Sequence, residues 1–357
     1  MTINWNPLST LIAEHDHFIV SSHIRPDADA LGSEMAFAIY LEQIGKKVRI
    51  VNPGQSPKHL MFLDPEEKVA TIGHVPAEVI QTAQIHFVLD TCSWKQLSGV
   101  GEAMKTAASK KVVIDHHISG DDLSAIEFKD VTEPATGCLV YQYLTHVGAD
   151  ISAFQALCMF AAISTDTGWF RFPATKPSTY RIAAELMELG VNPQDLYTLL
   201  YEQASLARLK LSGIVLQRVQ VAFEGKVAFT FVAQKDLAET GSHPTDTENF
   251  VNECLKISGV KIAFICVEQQ NRSIKTSFRS RVGSNVAKLA ETFGGGGHKQ
   301  ASGAVLNTSL DEAIKQILDR ISSMDLSEVD DIGEKESEIS PKESPLQATP
   351  PSSKVIP

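Results

Sequence analysis

Four short stretches of this 357-residue chain combine aspartate and histidine in patterns suited to holding cations. The first is His23-Ile24-Arg25-Pro26-Asp27-Ala28-Asp29. The second centres on Asp90, the third is Asp115-His116-His117, and the fourth is Asp166-Thr167-Gly168. Carboxylates with a minority of imidazoles, and no thiolate among them, suit a hard divalent ion such as Mn2+ better than a structural Zn2+. Two such ions about 3.5–4 Å apart need a bridging carboxylate and enough negative ligands to offset their charge, and this set is large enough to supply both. The chemistry implied is metal-assisted hydrolysis. Taken singly, each stretch has an ordinary reading: Asp27 as turn chemistry before a helix, Asp90 as a loop residue, Asp115-His116-His117 as a polar strand end. Lone histidines such as His86 read as packed or surface residues. Recurrence of the pattern beside successive apolar segments is what points to a shared site.

The elements that must position these side chains alternate along the first half of the chain. Phe18-Ile19-Val20, Phe87-Val88-Leu89 and Val112-Val113-Ile114 are short apolar runs bounded by polar residues. Between and after them lie helical stretches, one continuing through Tyr40, one near Gly137 to Val147 and one near Ala153 to Ile163. Continuous apolar strands separated by helices predict a parallel sheet covered on both faces. In such a sheet ligands bind outside the carboxyl ends of the strands, which is where three of the four stretches fall. The expected fold class is therefore α/β over residues 1–190, followed by a helical connector over 191–217.

The pattern then changes. Val219, Val221 and Phe223 alternate up to Glu224-Gly225, and Val227, Phe229 and Phe231 alternate beyond it, which predicts a hairpin. Ile262, Phe264 and Cys266 pair in the same way with Ile274, Thr276 and Phe278 across Gln270-Asn271. Antiparallel strands with intervening helices predict a smaller α+β domain over 218–325. It contains a second candidate site. Gly294, Gly295, Gly296 and Gly297 precede His298 and follow a helix expected from about Asn285 to Thr292. Consecutive glycines allow close backbone approach and can aim N–H groups at an anion, although a helix C-cap is the plain alternative. Arg272, Lys275, Arg279, Arg281, Lys288 and Lys299 crowd the same region, which suggests phosphate recognition in an otherwise acidic chain.

Formal net charge is -11, which disfavours coating long DNA or RNA but not a small anion held by metals and a few local cations. The five cysteines are scattered without Cys-x-x-Cys spacing and read as reduced thiols. Neither a signal peptide nor an apolar run of membrane-spanning length is expected, so the protein is placed in the cytoplasm with no membrane partner. Residues 326–357 carry no aromatic residue and are rich in Ser, Pro and acid, a composition expected to stay unfolded.

The order His-x-x-x-Asp-x-Asp, Asp, Asp-His-His, Thr-Asp-Thr-Gly resembles the DHH phosphoesterases. The Gly-Gly-Gly-Gly-His and Ala-Ser-Gly runs resemble their DHH-associated substrate domain, and the combination over about 5–325 is similar to that family's stand-alone nano-RNase/pAp phosphatase group. The resemblance implies that His23, Asp27 and Asp90 hold one metal and that Asp29, Asp90, His116 and Asp166 hold the other, with Asp90 bridging. Asp115 would support the cluster and His117 would face the substrate phosphate. Arg279, the Gly294 to Gly297 loop, His298 and Ser302 would bind the nucleotide, and the connector would let the second domain close on it. Ala28 stands where the family commonly has Gly. The expected activity is hydrolysis of short oligoribonucleotides to mononucleotides and of 3′-phosphoadenosine 5′-phosphate to AMP, with two divalent ions, most fittingly Mn2+. A cyclic or linear dinucleotide phosphodiesterase and a nucleotide-binding regulator without turnover are the competing expectations. A homodimer is left open.

Overall fold

The computed structural model describes residues 3–281 and 284–324. The tail read above as unfolded, 326–357, lies outside them. The chain divides between Gln203 and Ala204 into two compact units.

In the first unit, α1 (Asn6–Glu14) leads into β1 (His17–Ser21), α2 (Ala28–Gln43), β2 (Lys47–Asn52) and β3 (Val69–Thr71). The chain continues through α3 (Ala77–Gln81), β4 (Ile85–Leu89), α4 (Trp94–Thr106), β5 (Lys110–Asp115) and β6 (Ile126–Lys129). Four helices follow: α5 (Thr136–His146), α6 (Ala153–Asp166), α7 (Pro177–Glu188) and α8 (Pro193–Tyr201). All six strands are parallel, in the order β3-β2-β1-β4-β5-β6. The order reverses between β1 and β4, so the switch point lies at the carboxyl ends of the strands that lead to His23 and Asp90.

Alternation along the strands fills two cores. Phe18, Val20, Phe87, Leu89, Val112 and Ile114 face one side, where residues of α1, α2, α5 and α6 complete the cluster. Ile19, Val88 and Val113 face the other with Leu97, Val100 and Met104 of α4. A Cβ on Gly32 would lie 2.3 Å from the Cys158 carbonyl oxygen, and one on Gly137 would lie 2.6 Å from the Ala162 Cβ. These glycines let the backbones of α2 and α5 approach α6 closely, which brings the first turns of α2 and α5 beside the end of α6.

His86 is fully buried on β4. The Ser21 hydroxyl donates to the Val51 carbonyl at 2.6 Å, so it accepts from Nε2–H of His86 at 2.9 Å, leaving Nδ1 without a partner. Burial, with a minor contribution from Lys111, lowers the imidazole to about 3.

The second unit begins with α9 (Leu206–Gln217), then β7 (Gln220–Ala222), β8 (Val227–Val232), α10 (Gln234–Thr240), α11 (Phe250–Cys254) and β9 (Ile262–Glu268). It ends with β10 (Ile274–Ser280), α12 (Val286–Glu291), β11 (Gly296–Gly297), β12 (Ala301–Leu306) and α13 (Leu310–Ser322). Its sheet runs β11-β12-β10-β9-β8-β7. Both expected hairpins are present as antiparallel pairs. The sheet is nevertheless mixed, because β8 and β9 are parallel. A parallel pair needs a long crossover, and α10 and α11 provide it. Val221 is 56% exposed on a three-residue edge strand. The stretch read as one connector forms two helices: Leu196 of α8 joins the core of the first unit, while Leu211 and Val215 of α9 join that of the second.

Between about pH 6.5 and 3 the unfolded chain protonates His86 and the folded chain does not. This contribution to stability is complete above pH 6.5 and is lost as pH falls, by up to ~1.4 kcal/mol per pH unit. His86→Leu should therefore lose less stability than the parent when urea unfolding is followed from pH 7 to 4.5. Equal losses would show that His86 is not the responsible group.

Candidate metal centre

The site is built from strand ends and helix ends. His23 and Asp27 lie on the loop after β1, and Asp29 lies in the first turn of α2. Asp90 follows β4 directly, Asp115 ends β5, and Asp166 ends α6. Asp27 also serves as the helix cap that its sequence allows. Its Oδ1 accepts from the amides of Asp29 and Ala30, both at 3.1 Å, and these bonds leave Oδ2 unused.

Asp90 is buried at the centre and adopts a left-handed backbone, φ 61°, which aspartate tolerates better than most residues. Its two oxygens look in different directions. Oδ2 lies 3.4 Å from Nε2 of His23, and Oδ1 lies 3.4 Å from Nε2 of His116. His116 Nε2 is also 3.3 Å from Asp166 Oδ2 and 3.7 Å from Asp29 Oδ2. Three groups with metal-binding potential result: His23, Asp27 and Asp90; Asp29, His116 and Asp166; and Asp90, His116 and His117.

The tautomer of His116 follows from its other nitrogen. Nδ1 lies 3.2 Å from the Glu133 carbonyl, which can only accept, so Nδ1 carries the proton and Nε2 is left as a donor of electrons. That buried Nε2 makes no hydrogen bond while facing three carboxylates. A cation between them would satisfy both the imidazole and the acids, so the donor set fits a metal.

Electrostatics points the same way. Burial and the Asp90 charge raise Asp27 and Asp29, and the same causes raise Asp166 to about 7. Asp90 moves down despite its burial, because the His116 and His23 imidazoles lie close against its two oxygens. Burial opposes ionisation of His116, yet Asp90 and Asp166 raise it to about 9. Crowding of buried carboxylates thus favours a positive partner among them.

His117 is set apart. Its Nδ1 bonds Asp115 Oδ1 at 2.8 Å, and its side chain is 49% exposed. Asp115 is fully buried, with Lys129 Nζ 3.4 Å from its other oxygen. The Asp115 hydrogen bond raises the His117 imidazole. His23, Asp27, Asp90, Thr91, Ser93 and His117 help line a hollow of about 300 Å3. A larger hollow of about 510 Å3, at the opposite ends of β1 and β2, contains none of the site's carboxylates.

Two residues that the sequence reading did not assign to the site belong here. The amides of Thr136 and Gly137, in the first turn of α5, donate to the two oxygens of Asp29 at 2.7 and 2.8 Å, and the Thr136 hydroxyl donates to Asp90 Oδ1 at 3.0 Å. A helix N-terminus thus orients one carboxylate while its side chain orients another. Only the helix-start position of Thr136 hinted at this. After Asp166 the backbone is left-handed at Gly168, Trp169 and Phe170, with φ of 56°, 62° and 63°. The two aromatic residues hold this conformation at roughly 1–2 kcal/mol each.

In the second unit the glycine run is more structured than an open anion loop. Gly294, φ 72°, ends α12, its amide donates to Glu291, and the Gly295 amide donates to Ala290. A Cβ on Gly295 would lie 2.1 Å from the Gly303 oxygen. Gly296 and Gly297 pair with Gly303 and Ser302 of β12. The Ser302 hydroxyl donates to the Val286 carbonyl at 2.6 Å, a packing role that leaves it no proton for a ligand. Arg279 is half-buried, with Nη1 donating to the Phe278 carbonyl at 3.0 Å. His298, Lys299 and Lys288 are exposed.

Comparison with known proteins agrees with this geometry. The N-terminal domain of the DHH family matches residues 17–163, and the DHHA1 domain matches 224–324. The chain carries a DHH domain followed by a DHHA1 domain and is a hydrolase of phosphoester bonds. It is 28% identical to a bifunctional oligoribonuclease and PAP phosphatase NrnA of Thermus thermophilus, over 85% of this chain and 88% of that protein. The Bacillus subtilis protein of the same description is 29% identical, over 86% and 95%. The crystal structure of an exopolyphosphatase-related protein from Bacteroides fragilis superimposes with a TM-score of 0.81 at 26% identity, covering 89% of this chain and 95% of that one. Among the described residues, no helix of this DHH protein is long and apolar enough to cross a membrane.

Two outcomes follow. In EDTA, Asp166→Asn should raise the melting temperature by removing one like charge, and should shrink the increase given by Mn2+; a lower melting temperature in EDTA would contradict the repulsion described. Thr136→Val should weaken Mn2+ binding in calorimetry by roughly 10–100-fold, the usual effect of losing a partner of a metal ligand, and unchanged affinity would remove Thr136 from the site.

Proposed function

We propose that this enzyme uses two divalent cations, Mn2+ by the hardness of the donor set, to hydrolyse short oligoribonucleotides to mononucleotides and 3′-phosphoadenosine 5′-phosphate to AMP. The observation that carries the reading is Asp90, whose two oxygens face separate imidazoles and separate carboxylate groups, as a bridging ligand requires. His23 and Asp27 would complete one metal position, and Asp29, His116 and Asp166 the other. The cations, when bound, neutralise phosphoryl charge and activate water at neutral pH.

The chain's own groups do the rest. Asp115 accepts the Nδ1 proton of His117 and favours the imidazolium form, so the exposed Nε2–H is available to a phosphoryl or leaving oxygen as hydrogen-bond donor or general acid. In the second unit, Arg279, His298 and Lys299 would grip the nucleotide, with Gly294 to Gly297 shaping the backbone beside them. The names of the NrnA relatives support this substrate class.

Product analysis by ion-exchange chromatography tests the proposal. With Mn2+, AMP should form from 3′-phosphoadenosine 5′-phosphate, mononucleotides should form from RNAs of a few nucleotides, and a long RNA should persist. Asp90→Asn should reduce both activities by more than ~10²-fold, beyond the loss usual for an outer partner of a metal ligand. Preferential cleavage of a cyclic adenine dinucleotide would replace this substrate assignment, and an active Asp90→Asn enzyme would overturn the bridging role.

A further inference from the structure

We propose that the left-handed segment after Asp166 is a base-stacking platform for the nucleotide whose phosphate occupies the metal centre, with Phe172 as the platform and Arg171 as its cation. The proposal rests on the phosphoesterase reading above and adds the residue that would recognise the base. Gly168, two residues beyond Asp166, is at most ~7.6 Å from it between Cα atoms. A Cβ at Gly168 would lie 2.4 Å from the Phe172 ring, so the ring lies directly over this glycine, beside the end of α6. The ring is nonetheless 45% exposed.

The loop is held rather than loose. Phe172 N–H donates to the Thr167 carbonyl at 2.9 Å, Trp169 N–H to Ser164, and Phe170 N–H to the Thr167 hydroxyl at 3.0 Å. Two consecutive bulky residues kept at positive φ next to a metal-binding group are the sort of strain that collects at functional sites. With no side chain on Gly168, the Phe172 ring seats closely against its backbone. The held loop leaves an exposed aromatic ring over Gly168, two residues past the end of α6, the helix that carries Asp166.

The chemistry on offer matches a nucleotide. The Arg171 guanidinium lies 5.5 Å from the centroid of the Phe172 ring, is exposed, and makes no ion pair among the described residues. Its charge is also felt, weakly, at the Tyr201 hydroxyl, which burial raises. Tyr201 is 48% exposed and packs edge-on against Trp169. An aromatic face, a free cation and a neighbouring cation centre suit a base joined to a phosphate, and stacking of this kind tolerates any base. A wholly apolar partner would leave Arg171 without an anion.

The test uses the full chain with Mn2+ in an Asp90→Asn background and a dinucleotide containing 2-aminopurine, whose fluorescence falls on stacking. Quenching is expected, with Phe172→Leu weakening binding by about 5–150-fold, the range for loss of one aromatic stacking partner. Phe172→Trp should restore the quench, while Leu keeps an apolar side chain over Gly168 and so tests the ring alone. Binding without quenching, or an unchanged affinity in Phe172→Leu, would overturn the platform. Hydrolysis by the parent enzyme without quenching would remove only this proposal, whereas quenching without hydrolysis would support it and remove the activity. Sedimentation of Phe172→Leu and the parent covers the other occupant: a dimer lost in the variant, with no quench in the parent, would assign the patch to a second copy of the chain.

Discussion

Repulsion among buried carboxylates is the constraint around which the first unit is arranged. Asp29 and Asp90 are almost fully enclosed, and Asp27 and Asp166 converge on the same imidazoles. Isolated charges in such a place are expensive to bury, and like charges raise that expense further. The fold tolerates the arrangement because oriented donors surround each acid. The start of α5 gives two amides to Asp29, the start of α2 gives two to Asp27, and Asp90 faces three imidazoles and a hydroxyl. The charge left over is what positive ions would neutralise, so the capacity to bind them is built into the cluster.

The parallel sheet makes this convergence possible. Its strand order reverses between β1 and β4, and the loops leaving those two strands separate in opposite directions, opening a crevice where neither helix layer closes over the strand ends. Close helix contacts at Gly32 and Gly137 then set where the ends of α2, α5 and α6 fall. A side chain at either position would push apart elements whose termini carry Asp29, Thr136 and Asp166. Packing on the apolar face of the sheet and geometry at the metal centre are in this sense one problem.

The second unit divides its glycines between packing and exposure. Gly294 and Gly295 close α12, and Gly295 and Gly297 lie too near β12 for any side chain. What this construction leaves in solvent is the turn carrying His298 and Lys299. The run that reads as an anion loop is a rigid mount for the polar residues that follow it.

The residue types that converge here were legible in the sequence because side chains able to hold a cation are few. His23, Asp27, Asp29, Asp90, His116 and Asp166 stand out by chemistry, and the apolar runs before Asp90 and Asp115 put them at strand ends with no need of coordinates. The parallel sheet was legible for the same reason, since strands buried on both faces read as continuous apolar runs. Tertiary structure decided what depends on contacts distant in sequence. Thr136 meets Asp29 across more than a hundred residues, Ser302 is turned to Val286 instead of a ligand, and β8 and β9 are parallel because two helices lie between them. The left-handed turn after Asp166 was likewise hidden: aromatic residues rarely take that conformation, and only the surrounding hydrogen bonds and the bare face of Gly168 hold Phe172 beside the site.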